Sequence, residues 1–287
     1  MPRTLARWLR TIVVFLLAAG AAGAWAGGLH SPVAIALVSI AVPIGIVAAL
    51  VGLSYAIAGI NPLHGGAREM VDSAIQFLVV QAFPARCVDA AVARASGTPV
   101  LMVHGYCCNR GAHWLLARRL ARSGFRPILV DLEPVHASID HYVDALAVRI
   151  DAILAHEGVA RVPAVAHSMG GLALRAYAAR HGGGRLGPVV TIGTPHRGTR
   201  LARLGMGANA GQMRPGSDWL RELPAPAAAD RWLALWSMHD NIVAPQEGGR
   251  LDGSKDLRFE GIGHMSLLAD RAVADAVASH LRGIGSD

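Results

Sequence analysis

Between Thr11 and Ala67 the chain has no aspartate, glutamate, lysine or arginine. Charge is scarce overall, at 16% of the 287 residues against roughly 25% in ordinary soluble domains, while hydrophobic residues reach 53%. That balance excludes an intrinsically disordered chain, which needs the reverse. Lysine is almost missing: Lys255 is the single one, and the arginines are scattered with no basic block. The net charge of +7 therefore does not describe a nucleic-acid surface. Three cysteines are too few for a multi-disulfide framework and match no zinc spacing.

The uncharged front divides at Leu29-His30-Ser31-Pro32 into two apolar stretches, about 11–28 and 33–57. Each is near or above the ~18–20 residues that cross a hydrocarbon core. Pro43 falls inside the second, where a transmembrane helix tolerates it as a kink. Ala19, Gly23 and Gly27 recur at helical spacing and predict a close helix pair, so a two-helix membrane hairpin is the first expectation. A cleaved signal peptide is its rival, with Arg3, Arg7 and Arg10 as the basic region, Ile12 to Ala22 as the apolar region and Ala24-Trp25-Ala26 as the cleavage site. If the second stretch spans, both versions leave the C-terminal part inside, so the topology leans cytoplasmic in a bacterial inner membrane; a periplasmic placement needs only one span. From Gly65 to Arg86 acids return among Met70, Ile75, Phe77 and Leu78. This predicts an amphipathic connecting helix, lying on the membrane surface or packed on the following domain.

Beyond Cys87 strand and helix patterns alternate. Short apolar runs at Pro99–His104, Arg126–Asp131, Arg161–Ala166, Pro188–Gly193, Arg231–Met238 and Asp256–Glu260 read as buried strands. Helical patterns fall at 112–123, 139–156, 169–180 and 265–281. The alternation implies an α/β domain with a mostly parallel sheet covered by helices on both faces, whose ligands bind just past the carboxyl ends of the strands.

Four such sites carry chemistry. Ala166-His-Ser-Met-Gly-Gly171 follows a strand and opens a helix; small residues two positions either side of Ser168 suit a sharp elbow that exposes a nucleophilic hydroxyl, with Ala166 in place of the usual glycine. A serine that merely caps the helix would not need those flanks. His104-Gly105-Tyr106 ends the first strand, and the Tyr106 and Met169 amides are the candidate oxyanion donors. Asp240 closes the fifth strand and can orient a histidine; Glu222, Asp230 and Asp252 compete, yet none directly follows a strand. His264, in Gly261-Ile-Gly-His-Met265, completes the order Ser, Asp, His. His167 reads as support for the turn. Cys107 and Cys108 read as buried thiols, with Cys87 able to pair with one of them in an oxidising compartment. The glycines of Gly205–Gly211 have the wrong spacing for a nucleotide loop.

With these motifs in order, the chain resembles α/β-hydrolase-fold bacterial lipases and esterases over about 99–281. Ala166-His-Ser-Met-Gly170 is similar to the alanine variant of their elbow, and Val190–Thr199 to the stretch after their sixth strand. The resemblance implies an α/β-hydrolase fold and serine ester hydrolysis of lipid or other apolar acyl esters, with Ser168, Asp240 and His264 catalytic and Tyr106 and Met169 at the oxyanion. It implies no metal or organic cofactor and an acyl-ester substrate; the membrane partner rests on the hydrophobic front, which the resemblance does not cover, and the lack of a nucleic-acid partner on the scattered arginines. A thioesterase or amidase with the same triad stays open, as does a membrane-bound binding protein without turnover. The expected division is a membrane region over 1–60, a connector over 61–96 and a catalytic domain over 97–287. Within the last, 199–229 is a lid-like insertion whose Leu201, Leu204, Met206, Met213, Trp219 and Leu220 form either a lid or a small satellite core.

Overall fold

The computed structural model describes residues 4–89 and 92–283. Arg3, the first of the expected basic cluster, lies outside them, as do the last four residues of the expected catalytic domain. Six strands form one all-parallel sheet in the order β2-β1-β3-β4-β5-β6. They are β1 (Thr98–Val103), β2 (Phe125–Val130), β3 (Val162–His167), β4 (Leu186–Ile192), β5 (Trp232–Ser237) and β6 (Lys255–Phe259). The central β4 and β5 are buried along their whole length, as unbroken apolar runs under helices should be. β6 is the exposed edge, and the single lysine sits on it, where a charge discourages strand addition.

Helices cover both faces. On one, α5 (Ile139–Glu157) and α6 (Met169–His181) pack Tyr142, Leu146 and Ile150 against Leu172 and Tyr177. On the other, α4 (Trp114–Arg122) and α7 (Arg271–Gly283) place Leu116, Leu120, Val273 and Val277 over Val100, Val165 and Val190. The last helical stretch, expected unbroken over 265–281, is in two pieces. Asp270 interrupts it, and its carboxylate accepts the Ala272 and Val273 amides at 2.8 and 3.2 Å to cap the second piece.

Two apolar helices precede the sheet, α1 (Thr4–Ala26) and α2 (Pro32–Ala58). Both are long and apolar enough to cross a bilayer, and only 11% of either apolar window is buried, unlike the core helix of a soluble protein. They pack closely at Gly20, where a Cβ would stand 2.7 Å from the Ser39 Cα. Ala24, one turn on, is also buried, whereas Ala19, Gly23 and Gly27 are exposed. The expected small-residue stripe is thus displaced by one residue, which rotates the contact by about 100° around the helix.

The connector begins as α3 (Gly66–Ala74), widens into a π-helical turn over Ile75–Val80 and breaks ahead of Pro84. Its polar side faces inward: Glu69, Ser73 and Gln76 are buried against the domain, while Met70, Val71, Ile75 and Val79 are exposed. Of the two expectations for this segment, packing on the domain describes its polar face. The apolar face is left free. For the core, Leu172→Ala should cost about 2–5 kcal/mol, the range for a fully buried leucine, read as an earlier denaturation midpoint in detergent.

Candidate active site

All four sequence motifs lie at the carboxyl edge of the sheet. Ser168 sits between β3 and α6 with φ 54° and ψ −129°, a backbone region that non-glycine residues rarely occupy. The Ser168 amide donates to the Ile192 carbonyl at 2.9 Å, which pins the elbow to β4. Gly105 comes so near that a Cβ there would stand 2.7 Å from Ser168 Cβ, so the loop after β1 lies directly over the serine. His104 shapes that loop: its Nδ1–H donates to the Gly105 carbonyl at 2.9 Å, and its Nε2 accepts the Leu132 amide at 2.9 Å. Burial holds His104 below the usual histidine range, which suits this neutral tautomer. The Met169 amide opens α6, where a helix has no internal acceptor for it.

Asp240 and His264 meet in a buried hydrogen bond, with His264 Nδ1 2.8 Å from Asp240 Oδ2 and 3.0 Å from Oδ1. Asp240 Oδ1 also accepts the Ile242 and Val243 amides, each at 2.8 Å. Burial pulls the His264 pKa down, but the Asp240 charge, its hydrogen bond and the Glu69 charge outweigh that and hold it above the ordinary value. Among the described residues the Ser168 hydroxyl makes no hydrogen bond with the His264 ring; both side chains line one cavity. The competitors Glu222, Asp230 and Asp252 do not line it. His167 packs its ring 4.5 Å from that of His264 and meets the His264 carbonyl at 3.3 Å, a supporting contact.

Four further residues escaped sequence reasoning. Glu69, from α3, accepts the Met265 and Ser266 amides at 2.9 Å each and so clamps the turn that carries His264. Gly263 leaves room for it, since a Cβ there would stand 2.5 Å from the Glu69 carboxylate. Burial pushes Glu69 up to about 7, against those two amide bonds, which favour its charged form. Asn241 Oδ1 accepts the His264 amide at 3.0 Å, and its Nδ2 donates to Ser54 Oγ of α2 at 2.7 Å. Gln81 accepts the Asn109 amide at 2.9 Å and steadies the loop beyond Tyr106. The one sequence signal for Glu69 is that it is the first acid after the long uncharged run.

The cavity, of about 400 Å³, is almost wholly apolar and reaches from Ser168 to apolar residues of both α1 and α2. The 199–229 insertion contributes nothing to its lining. Its Ala202, Met213 and Leu220 join the main core, while Leu204 and Met206 are exposed. The insertion does reach the loop over Ser168, because Tyr106 Oη both donates to the Met206 carbonyl and accepts its amide, at 2.9 Å each. Cys87, Cys107 and Cys108 are free thiols, and burial pushes Cys108 up to about 12. Among the described residues no group of three or more His, Cys, Asp or Glu is placed to hold a metal ion.

Comparison with known proteins gives the class. The sequence profile of the α/β-hydrolase fold matches residues 98–215, a stretch that includes the His104 loop and the Ser168 elbow and ends ahead of Asp240 and His264. The mature form of a Bacillus licheniformis lipase superposes with a TM-score of 0.56 at 18% identity, covering 65% of this chain and 92% of its own. An esterase of Exiguobacterium antarcticum gives 0.53 at 17%, covering 66% and 93%. The fold is the α/β-hydrolase fold, preceded here by two apolar helices. In sequence the chain is 33% identical over 102 residues to a non-heme haloperoxidase of Rhodococcus erythropolis. That match takes in 34% of this chain and spans 37% of the relative's length.

Two outcomes follow for the histidine. If His264 is a general base it must be neutral to take a proton, and the acid limb of kcat/KM should then lie above ~6.5. Asp240→Asn removes the two main raising effects; it should move that limb down and cut kcat roughly 10³–10⁴-fold. Glu69→Gln leaves one buried amide without its acceptor and removes a charge facing His264. It should destabilise by about 1–3 kcal/mol and move the same limb down, the shift being largest above pH 7 where Glu69 is ionised.

Proposed function

We propose that the protein is a membrane-anchored serine hydrolase that cleaves carboxylic esters of lipids or other apolar acyl groups. The observation that carries this reading is the buried Asp240–His264 pair beside a strained Ser168 at the foot of an apolar cavity. His264 Nε2 takes the Ser168 proton as Oγ attacks the ester carbonyl, and the new oxyanion sits between the Tyr106 and Met169 amides. Each of those donors lowers the barrier by roughly 3 kcal/mol. Asp240 steadies the imidazolium through Nδ1. The C–O bond then breaks, His264 returns its proton to the leaving alkoxide, and water repeats the sequence on the acyl-enzyme to free the acid and Ser168. No cofactor is needed at any step.

The hairpin supports anchoring with the catalytic part on the cytoplasmic side. The α1 start is tied to the domain, with the Thr4 amide on Glu133 at 2.9 Å and Arg10 on the Ala82 carbonyl at 3.4 Å, and so is the α2 end, through Ser54. Both helix ends therefore lie on the domain's side, together with Arg7 and Arg10, which prefer the inner face. α1 also lines the cavity, which favours its retention over cleavage as a signal. Intact mass of the membrane-extracted protein should include α1.

Hydrolysis of a p-nitrophenyl ester series from acetate to palmitate, by the detergent-solubilised full chain and by Ser168→Ala, tests the chemistry. Turnover that rises with acyl length and vanishes in the variant is the expected result. Equal rates in both proteins would overturn the assignment of Ser168. Thioester and amide analogues in the same panel separate those acyl transfers from ester cleavage, and a chain without turnover would fit a binding role.

A further inference from the structure

The two apolar helices meet closely at Gly20 and Ser39, and towards the sheet a stripe on each borders the cavity. On α1 the stripe is Leu9, Ile12, Val13 and Leu16, at the i, i+3, i+4, i+7 spacing of one helix face; on α2 it runs from Pro43 through Val47 and Leu50 to Ser54. One turn beyond Leu16 and Pro43 the Gly20–Ser39 contact closes the far end. Ser168, His264 and Gly105 form the near end. Ile12, Ile46 and Leu50 line the cleft and are yet 49%, 41% and 62% exposed, so the cleft is open along the hairpin's flank.

We propose that the gap between α1 and α2 is the acyl-binding site, taking one chain of a membrane-resident ester sideways from the bilayer and presenting its carbonyl to Ser168. This deepens the acyl-transfer reading and rests on it. The dimensions suit the occupant: from Pro43 to Ser54 the α2 wall extends about 16 Å at ~1.5 Å per residue, near half of a ~30 Å hydrocarbon core. A chain already lying in the proximal leaflet then passes from lipid to an equally apolar wall without crossing water. The closed end at Gly20 and Ser39 sets a length limit that the 199–229 insertion, which does not line the cavity, cannot supply.

A long-chain alkyl fluorophosphonate with a diazirine at the chain end tests this on the full chain in phosphatidylcholine vesicles. Ser168 Oγ bonds to phosphorus, fluoride leaves, and the hydroxyl proton passes to His264. Irradiation followed by peptide mass spectrometry then locates the chain end. Crosslinks within 9–16 and 43–51 are expected. Labelling at Ser168 with crosslinks in 199–229, or to lipid alone, would overturn the hairpin site and leave the acyl-transfer reading standing. No label at Ser168 would overturn both. A second variant measures length selection: Leu16→Trp, filling the far end, should move the palmitoyl-to-butyryl ratio of kcat/KM towards the short chain by roughly tenfold or more, the weight of a few methylenes in an apolar pocket. Val14→Trp, on the outward face and 65% exposed, should leave the ratio where it is. An unchanged ratio in Leu16→Trp counts against the proposal.

Discussion

The His264 imidazole is held in one orientation by contacts that begin at two buried carboxylates, as the proposed role of a base requires. Asp240 takes Nδ1 directly and is itself held by two backbone amides, so it cannot swing away. Glu69 never touches the ring; it fixes the next two peptide units, and the Ser54–Asn241 pair fixes the amide of His264 itself. Both outer contacts come from residues ahead of the sheet. A charged carboxylate buried beside a histidine is costly alone, but the amide bonds and the nearby imidazolium offset that cost. The N-terminal segments are thus part of the framework that positions His264.

The same logic governs the loop over Ser168. Its strained backbone persists because β4 holds the elbow from below and Gly105 presses on it from above. Tertiary contacts then secure the loop: His104 bridges it to Leu132, two residues past β2, and Gln81 binds its far side. Arg110 joins Asp89 of the connector at 2.7 Å and also pairs with Asp131. A parallel sheet collects these parts at one edge, but each part is aimed by a contact from elsewhere in the chain.

That division explains what the sequence discloses and what it withholds. Strand spans, the elbow, and the positions of Asp240 and His264 rest on local patterns, namely apolar runs, small flanking residues and chain order, and each lies close to where those patterns place it. Glu69 acts across nearly two hundred residues and Gln81 across 28, and nothing within a window around either residue announces its partner. The hairpin contact is off by one residue because small residues fall on several faces of α1, and only the partner helix selects Gly20. The insertion was ambiguous since Met213 and Leu204 look alike in sequence; burial separates them.

Helix pairs that serve only to anchor gain by closing along their whole length, because in lipid the association of helices comes from packing. α1 and α2 have the means to close, with facing apolar stripes and a glycine that brings the backbones together at Gly20. Those stripes also border the cavity, and polar contacts tie both helix ends to the domain, Thr4 and Arg10 on one and Ser54 on the other. The cavity's surroundings are themselves apolar, so an acyl chain of the proposed substrate meets contacts there much like those it leaves in lipid. On the proposed reading the anchor and the substrate wall are then one element, docked to the domain at both helix ends.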